Sequence, residues 1–540
     1  MRSKLRLCLL LVICTALLVG AASARTGSGE EAAKPVQGGT FRIALPVNPI
    51  GVDSIDPALT SSPLEGMILR PTCAQLMAFP GPKPEVSAGY PKVSRDRLTY
   101  TFTIREGFRF NTGEPVTAQN FAHAITRVLS PTTRAEEVGL LADRFVGGRD
   151  FHEGKETTLR GVVATGRTLV LRLTRPWPQL LHELAAPGWF CPVPAALPLD
   201  PEGVGAPLPG SGPYYIAGFV PGREVVLARN PLYRGGRPQH VDSFVVDLTS
   251  TFETTTQRVV EGEADLAFAA PSQFEQLVRR YGVNKSQFFV FTSPEGSPRM
   301  LILNSRRLLF RNNPRLRRAV NFAIDRQALG AAVGSHVASP TDQFLSPYAA
   351  GFRDVQIYPL RGDVRKAQAL ARGNTRSGKA VLYSSEVFPF MLAQTKLVQE
   401  RLRQIGIETK IKTFPHPVFL RKVSTPGEPF DIANSIGFVT GYPDHTLLNC
   451  MFHGRFIPPA EGCNYFYFNS PRYNRLLDRA ERLVGPARFR LYGRLDVELA
   501  RDAAPAVPYL LPNTGVLVSR RAGCHRFNRP LFDLATVCLK

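Results

Sequence analysis

Between Met300 and Leu511 the chain alternates strand-like and helix-like patterns, and this alternation restricts the fold more than any other feature. Met300 to Leu303 is an apolar run that reads as a strand. Asn313 caps a helix with Pro314 at its first position, and Leu316, Ala319, Val320, Ala323 and Ile324 recur at helical spacing. Val364 to Ala371 reads as a helix ending near Gly373, and Ala380 to Ser384 as a strand. Phe390 to Ile405 is a helix closed by Gly406, a fitting left-handed cap, and Ile407 to Lys412 is the next strand. Gly485 to Leu499 is a further helix, and Ala506 to Leu511 a strand that leads away. Strands separated by helices predict an α/β lobe of about 200 residues, joined to the rest by chain crossings near Ser297 and Pro505.

The N-terminal half has a different texture. Gly38-Gly39 opens a strand, Thr40 to Val47, in which Phe41, Ile43 and Leu45 alternate with polar or small residues. A turn-rich segment from Asp53 to Pro63 is followed by a helix-like stretch to Phe79. Leu98 to Ile104 alternates as a strand. Thr117 caps a helix to Leu129 whose apolar face is Phe121, Ala124, Ile125, Val128 and Leu129. Leu159 to Val163 and Thr168 to Leu173 pair as antiparallel strands. Strands are also predicted after Gly210, at Glu224 to Ala228 and at Val241 to Leu248, and a helix over Thr251 to Glu261. A length of 540 residues predicts two or three folding units, and 44% hydrophobic with 20% charged residues is a globular balance.

Arg2, Lys4 and Arg6, the apolar run Leu7 to Val19 and Ala22-Ser23-Ala24 form a secretory signal over residues 1–24. Residues 25–37 then read as a flexible leader. No lipid-attachment cysteine stands at the cleavage point, so the product is expected to be exported, periplasmic or extracellular. Six cysteines remain after cleavage. In an oxidising compartment they suggest disulfides, of which the short-loop choices are Cys450 with Cys463 and Cys524 with Cys538, leaving Cys73 with Cys191; reduced, buried cysteines are the alternative. Removal of Arg2, Lys4 and Arg6 lowers the net charge from +22 to about +19. The arginines are spread rather than bunched, which argues against nucleic acid; a bias toward arginine, or attraction to an anionic ligand or surface, accounts for the charge.

Catalytic and cofactor motifs fail on inspection. Gly373 to Ala380 is one residue short of a P-loop and has helix and strand in the wrong order. His182-Glu183 lacks the second histidine of a zinc protease, since position 186 is Ala186. Gly210-Ser211-Gly212 lacks the outer glycine of a nucleophile elbow. No cysteine–histidine set has zinc spacing. No catalytic residue, metal or cofactor is therefore assigned.

The segment Phe430 to Gly454 runs from a strand through a turn-rich middle, Gly437 to His445, into a helix-like end. That is how α/β proteins present groups to a ligand. Other stretches carry a resemblance. Gly38-Gly39-Thr40-Phe41 with Asp56-Pro57, the run Thr101 to Phe110 and Gly113 to Ala118, Gly210 to Tyr214, Arg229-Asn230-Pro231 with Tyr233, Glu261 to Asp265, Leu316 to Val320 with Ala323 to Arg326, and Leu402 with Ile405 to Ile407 occur in a recognisable order. The chain resembles the extracytoplasmic solute-binding proteins of ABC transporters, the family 5 group of dipeptide-, oligopeptide- and nickel-binding proteins.

The resemblance implies an α/β, two-lobed periplasmic-binding-protein type II fold with a hinge. Lobe one would comprise 38–75, 205–298 and 505–540, with an extra subdomain at 76–204, and lobe two 299–504. It implies a monomer that closes on a solute and delivers it to permease subunits driven by a cytoplasmic ATPase. Its candidate ligand-binding residues are Ser61 and Ser62 after the first strand, and Phe438, Gly441, Tyr442 and Asp444 in the second lobe. One departure stands out: peptide-binding members carry an amine-binding aspartate where this chain has Gly441, while Asp444 matches a downstream acid. Peptide and non-peptide solutes both remain open, Gly441 and the basic charge favouring the latter. A secreted hydrolase is the alternative of a different class.

Overall fold

The computed structural model describes residues 36–46, 52–60, 62–78, 82–135, 138–186, 188–292, 297–435, 447–458, 463–525 and 533–540. The signal segment, nearly all of the leader, and the candidates Ser61, Phe438, Gly441, Tyr442 and Asp444 lie outside these residues. The unit Pro35–Lys540 is built around one mixed twelve-stranded sheet. In chain order its strands are β1 (Thr40–Pro46), β2 (Tyr214–Val220), β3 (Glu224–Arg229), β4 (Ser243–Ser250), β5 (Leu266–Phe268) and β6 (Phe288–Thr292). There follow β7 (Arg299–Leu303), β8 (Ala338–Pro340), β9 (Lys379–Ser385), β10 (Glu408–Phe414), β11 (Ile432–Ser435) and β12 (Ala506–Val518).

The spatial order is β10-β9-β11-β7-β12-β5-β1-β4-β3-β2, with β6 and β8 also paired to β12. The strands β9, β10 and β11 run parallel, as do β1, β4 and β5. These two parallel sets meet through β7 and β12, which pair antiparallel. The helices α1 (Pro63–Leu69), α2 (Ala118–Leu129), α3 (Pro314–Ala323), α4 (Phe390–Arg403), α5 (Pro471–Arg482) and α6 (Gly485–Glu498) are the ones used below.

Strand alternation explains the layering. In β1, Phe41, Ile43 and Leu45 enter one apolar cluster while Ala44 enters another. In β7, Leu301 and Leu303 face the cluster of α3 and α4, and Met300 and Ile302 face that of α5 and α6. Side chains of opposite parity thus serve opposite layers, as a sheet covered on both faces requires.

A second, four-stranded antiparallel sheet contains Lys92–Val93, Thr99–Thr103, Thr168–Arg172 and Val162–Thr165, in that order. The apolar face of α2 packs on it, with Phe121, Ile125, Val128 and Leu129 all buried. At the start of α2 the Asn120 Oδ1 accepts the Thr117 backbone N–H at 2.7 Å and its hydroxyl at 2.8 Å.

Two sequence expectations change. The helix after Pro63 ends at Leu69 and passes through a single 3-10 turn, Arg70–Thr72, rather than running to Phe79. Pro71 removes a backbone donor there, and Met77–Ala78 is already extended. The final strand does not stop at Leu511 but continues to Val518. Pro512 costs no bond to the short strand β8, because Asn513 N–H donates to the Val337 carbonyl at 2.9 Å and the Pro512–Ala338 pair therefore falls at a non-hydrogen-bonded position. The structure bonds Cys73 to Cys191, Cys450 to Cys463 and Cys524 to Cys538, with Cα–Cα separations of 5.4, 5.3 and 5.4 Å.

Candidate functional site

Register along β12 locates the site. On one side Leu266 pairs with Val518 and Phe268 with Val516, so β5 advances toward lower numbers on β12. On the other, Ile432 to Ser435 of β11 face Leu303 to Met300 of β7, and Ile302 and Met300 face Ala506 and Pro508. Hence β11 advances toward higher numbers. The C-terminal ends of both parallel sets converge on the middle of β12, where Pro512, Asn513 and Thr514 are only half-buried. Ligands of open α/β sheets bind outside the carboxyl ends of the strands, so this junction is the candidate cleft.

Its floor is rigid. The Tyr509 hydroxyl donates to Asn434 Oδ1 at 2.6 Å, Asn434 Nδ2 donates to Thr395 Oγ1 at 3.0 Å, and Thr395 Oγ1 shares a 2.9 Å bond with Ser384 Oγ. All four side chains are buried. At the C-terminal end of β9, Ser385 Oγ lies 3.0 Å from His416 Nδ1, and burial lowers the pKa of that imidazole. Phe388 and Phe390 lead from β9 into α4, their rings stacked 5.2 Å apart. Arg299 opens β7 opposite Leu510, beneath those two rings. Across the junction the Thr292 hydroxyl donates to Asn513 Oδ1 at 2.9 Å, and Asn513 Nδ2 donates to the His336 carbonyl at 2.9 Å.

Of the sequence candidates, Ser62 is described. It is the N-cap of α1: its Oγ accepts the Glu65 N–H at 3.2 Å, and Glu65 Oε2 accepts the Ser62 N–H at 3.0 Å. Glu65 Oε1 also receives the N–H groups of Asp53 and Ser54 at 3.1 and 3.0 Å, so this box pins the loop after β1. Phe438, Gly441, Tyr442 and Asp444 lie outside the described residues; Ser435, the last described residue before them in the chain, stands at the converging edge.

Ser211 is engaged structurally. Its buried Oγ accepts the Ala74 N–H at 2.9 Å, while Asn230 Nδ2 donates to the carbonyls of Gly210 and Gly212. Two recognisable motifs thus serve to hold each other. Among the described residues no cluster of three or more His, Cys, Asp or Glu is placed to hold a metal ion, and no helix is long and apolar enough to cross a membrane.

Sequence reasoning passed over Arg299, His416 and an ion-pair cluster between Arg144 and the second half of the chain. Arg299 carried a signal, being a lone charge at the head of an otherwise apolar strand. In the cluster, Glu481 accepts Arg144 Nη1 at 3.0 Å and Arg455 Nη2 at 2.6 Å, and Arg455 also reaches Asp478 at 3.2 Å. The guanidinium of Arg144 lies 5.3 Å from the Trp177 ring. Burial alone would raise the Glu481 pKa, but Arg144 and Arg455 hold it below the usual glutamate range.

Comparison with known proteins accords with this geometry. The glutathione-binding protein GsiB of Salmonella typhi is 26% identical over 392 residues, covering 71% of this chain and 72% of its own. The dipeptide-binding protein DppE of Bacillus subtilis is 24% identical over 453 residues, covering 80% and 79%. Among solved structures, clavulanic acid biosynthesis oligopeptide binding protein 2 superposes with a TM-score of 0.83 at 23% identity, covering 94% of this chain and 96% of that one. The model of the bacterial extracellular solute-binding proteins, family 5 middle, matches residues 57–456, and the chain belongs to that family.

Proposed function

We propose that this chain is the exported solute-binding component of an ABC importer. Residues 1–24 direct export and are removed. Lobe one, 38–75, 205–298 and 505–540 with the subdomain 76–204, and lobe two, 299–504, close on a peptide or related solute. The closed monomer presents it, in the periplasm or outside the cell, to permease subunits powered by a cytoplasmic ATPase.

The observation that carries this reading is the convergence of both parallel strand sets on the middle of β12. Contacts made by both lobes exist only in the closed state, so a solute shifts the open–closed equilibrium by its differential affinity. Relatives named for glutathione, dipeptides and oligopeptides support a peptide-class solute. Ser61, Ser62, Phe438, Gly441, Tyr442 and Asp444 are the proposed contacts. A second reading, a non-peptide solute on the same scaffold, rests on Gly441: without a carboxylate there, a peptide amine loses a charge-assisted bond.

Mass spectrometry of solute co-purified with the mature protein, together with small-angle scattering, tests both. Short peptides that compact the protein without being cleaved are expected. A single non-peptide solute selects the second reading, and turnover of the solute overturns both.

A further inference from the structure

Arg299 is 5% exposed, and its Nε and Nη1 are buried without a hydrogen-bond partner. Its neighbours are rings: the guanidinium carbon lies 4.6 Å from the Phe390 centroid and 5.6 Å from that of Phe388. Burial lowers its pKa, and among the described residues the one opposing influence is Tyr509, so no described acid balances the charge.

Three other buried arginines are provided for. Arg127 forks onto both Asp56 oxygens at 2.8 and 2.7 Å. Arg326 donates to the Asn321, Thr341 and Pro508 carbonyls and to Asn321 Oδ1. Arg317 donates to the Phe310 and Ala503 carbonyls. Arg488 also has two buried nitrogens without acceptors, but it sits on the helix α6 and not on a strand of the sheet. Among the described residues, Arg299 alone combines the deficit with a place at the converging strand ends.

A buried charge without a partner is strongly unfavourable. The phenylalanine rings attract the cation through its face and leave its in-plane N–H groups unanswered. A carbonyl would satisfy those donors without compensating the charge, whereas a carboxylate does both and matches the planar fork. We propose that Arg299 is a specificity-determining residue of the cleft, an anchor that takes a carboxylate of the bound solute against the Phe388–Phe390 pair. This rests on the solute-binding reading above. The carboxylate belongs either to the C-terminus of a short peptide or to an organic acid.

The test uses mature protein dialysed free of solute, with trialanine, trialanine amide and succinate as probes, followed by calorimetry and small-angle scattering. The wild type is expected to bind trialanine at least about tenfold more tightly than its amide, the size of one lost charge-assisted bond. Arg299→Gln is expected to bind both alike, and to unfold at the same or a higher temperature when solute-free. Arg299-dependent binding of succinate instead assigns the anchor to organic acids. Equal affinity of the wild type for acid and amide overturns the anchor while leaving solute binding intact, and needs no variant. An acid preference that survives in Arg299→Gln, or a lower melting temperature of that variant, does the same. Absence of binding and compaction with all three probes overturns the anchor and the solute-binding reading together.

Discussion

Asp496, on α6, is fully buried and accepts the backbone N–H groups of Phe344 and Leu345 at 2.8 and 3.3 Å, while its Oδ2 has no partner. Burial pushes its pKa up to about 7 against those two bonds, and the charge of Asp342 adds to the rise. A carboxyl raised in the folded state contributes stability that is complete below its unfolded pKa and is lost as pH climbs through about 7. Asp496→Asn should therefore match the wild type in stability near pH 3, below the unfolded pKa, gain on it as pH rises, and exceed it near pH 8 by at most about 4 kcal/mol. Thermal unfolding of both proteins at the two pH values checks this; parallel pH profiles would refute it. Nothing in the sequence sets Asp496 apart from other acids on helices, because its perturbation comes from chain brought over it from residues 344 and 345. Asp56 is similar: Asp56-Pro57 is visible as a motif, but its pairing with Arg127, 71 residues away, is not.

Elements with local causes were legible. Pro314 behind the Asn313 cap starts α3, and the Asn313 Oδ1 accepts the Leu316 N–H at 3.2 Å. The segment Val364–Ala371 is a helix with the bounds its periodicity predicts. Elements with tertiary causes were not. The strand β12 runs twice its expected length because its second half is paired by β5 and β6, which nothing near residue 512 announces. The strand β6 itself, Phe288–Thr292, was passed over, its short run of phenylalanines lacking alternation. The helix α1 is short and depends on its cap. Ser62→Ala should cost about 1 kcal/mol, read from denaturant unfolding; an unchanged midpoint would show that Glu65 holds the loop unaided.

Across the whole molecule, the cluster at Glu481 ties Arg144, whose neighbours Ala142 and Phe145 pack with the four-stranded sheet, to α5. Side-chain exposures of 14% for Arg144 and 8% for Glu481 place the pair well out of water, where losing one partner is costly. If lobes open and close along β12, this pair acts as a clasp on the closed form. Glu481→Gln should enlarge the solute-free radius of gyration and weaken solute binding by roughly threefold to thirtyfold, as the population of the closed state falls. Scattering and calorimetry read both, and identical curves would show that the clasp carries no closure energy. Because Arg144 and Arg455 depress the Glu481 pKa, the clasp is intact at neutral pH and throughout the ordinary glutamate range. It is lost only as pH falls below that range.

Periodicity and capping residues in the chain specify the strands, the helices and the α/β class, since each depends on neighbours a few positions away. The family motifs are legible for the same reason, although several prove to be wiring between distant segments, as Asn230 is for Gly210 and Gly212. Three-dimensional packing settled the rest. The junction at the middle of β12, the lone guanidinium of Arg299 beneath Phe388 and Phe390, and the Arg144–Glu481 bridge each join residues far apart in the chain. Their chemistry follows from burial and from which charges become neighbours, and neither quantity exists until the chain has folded.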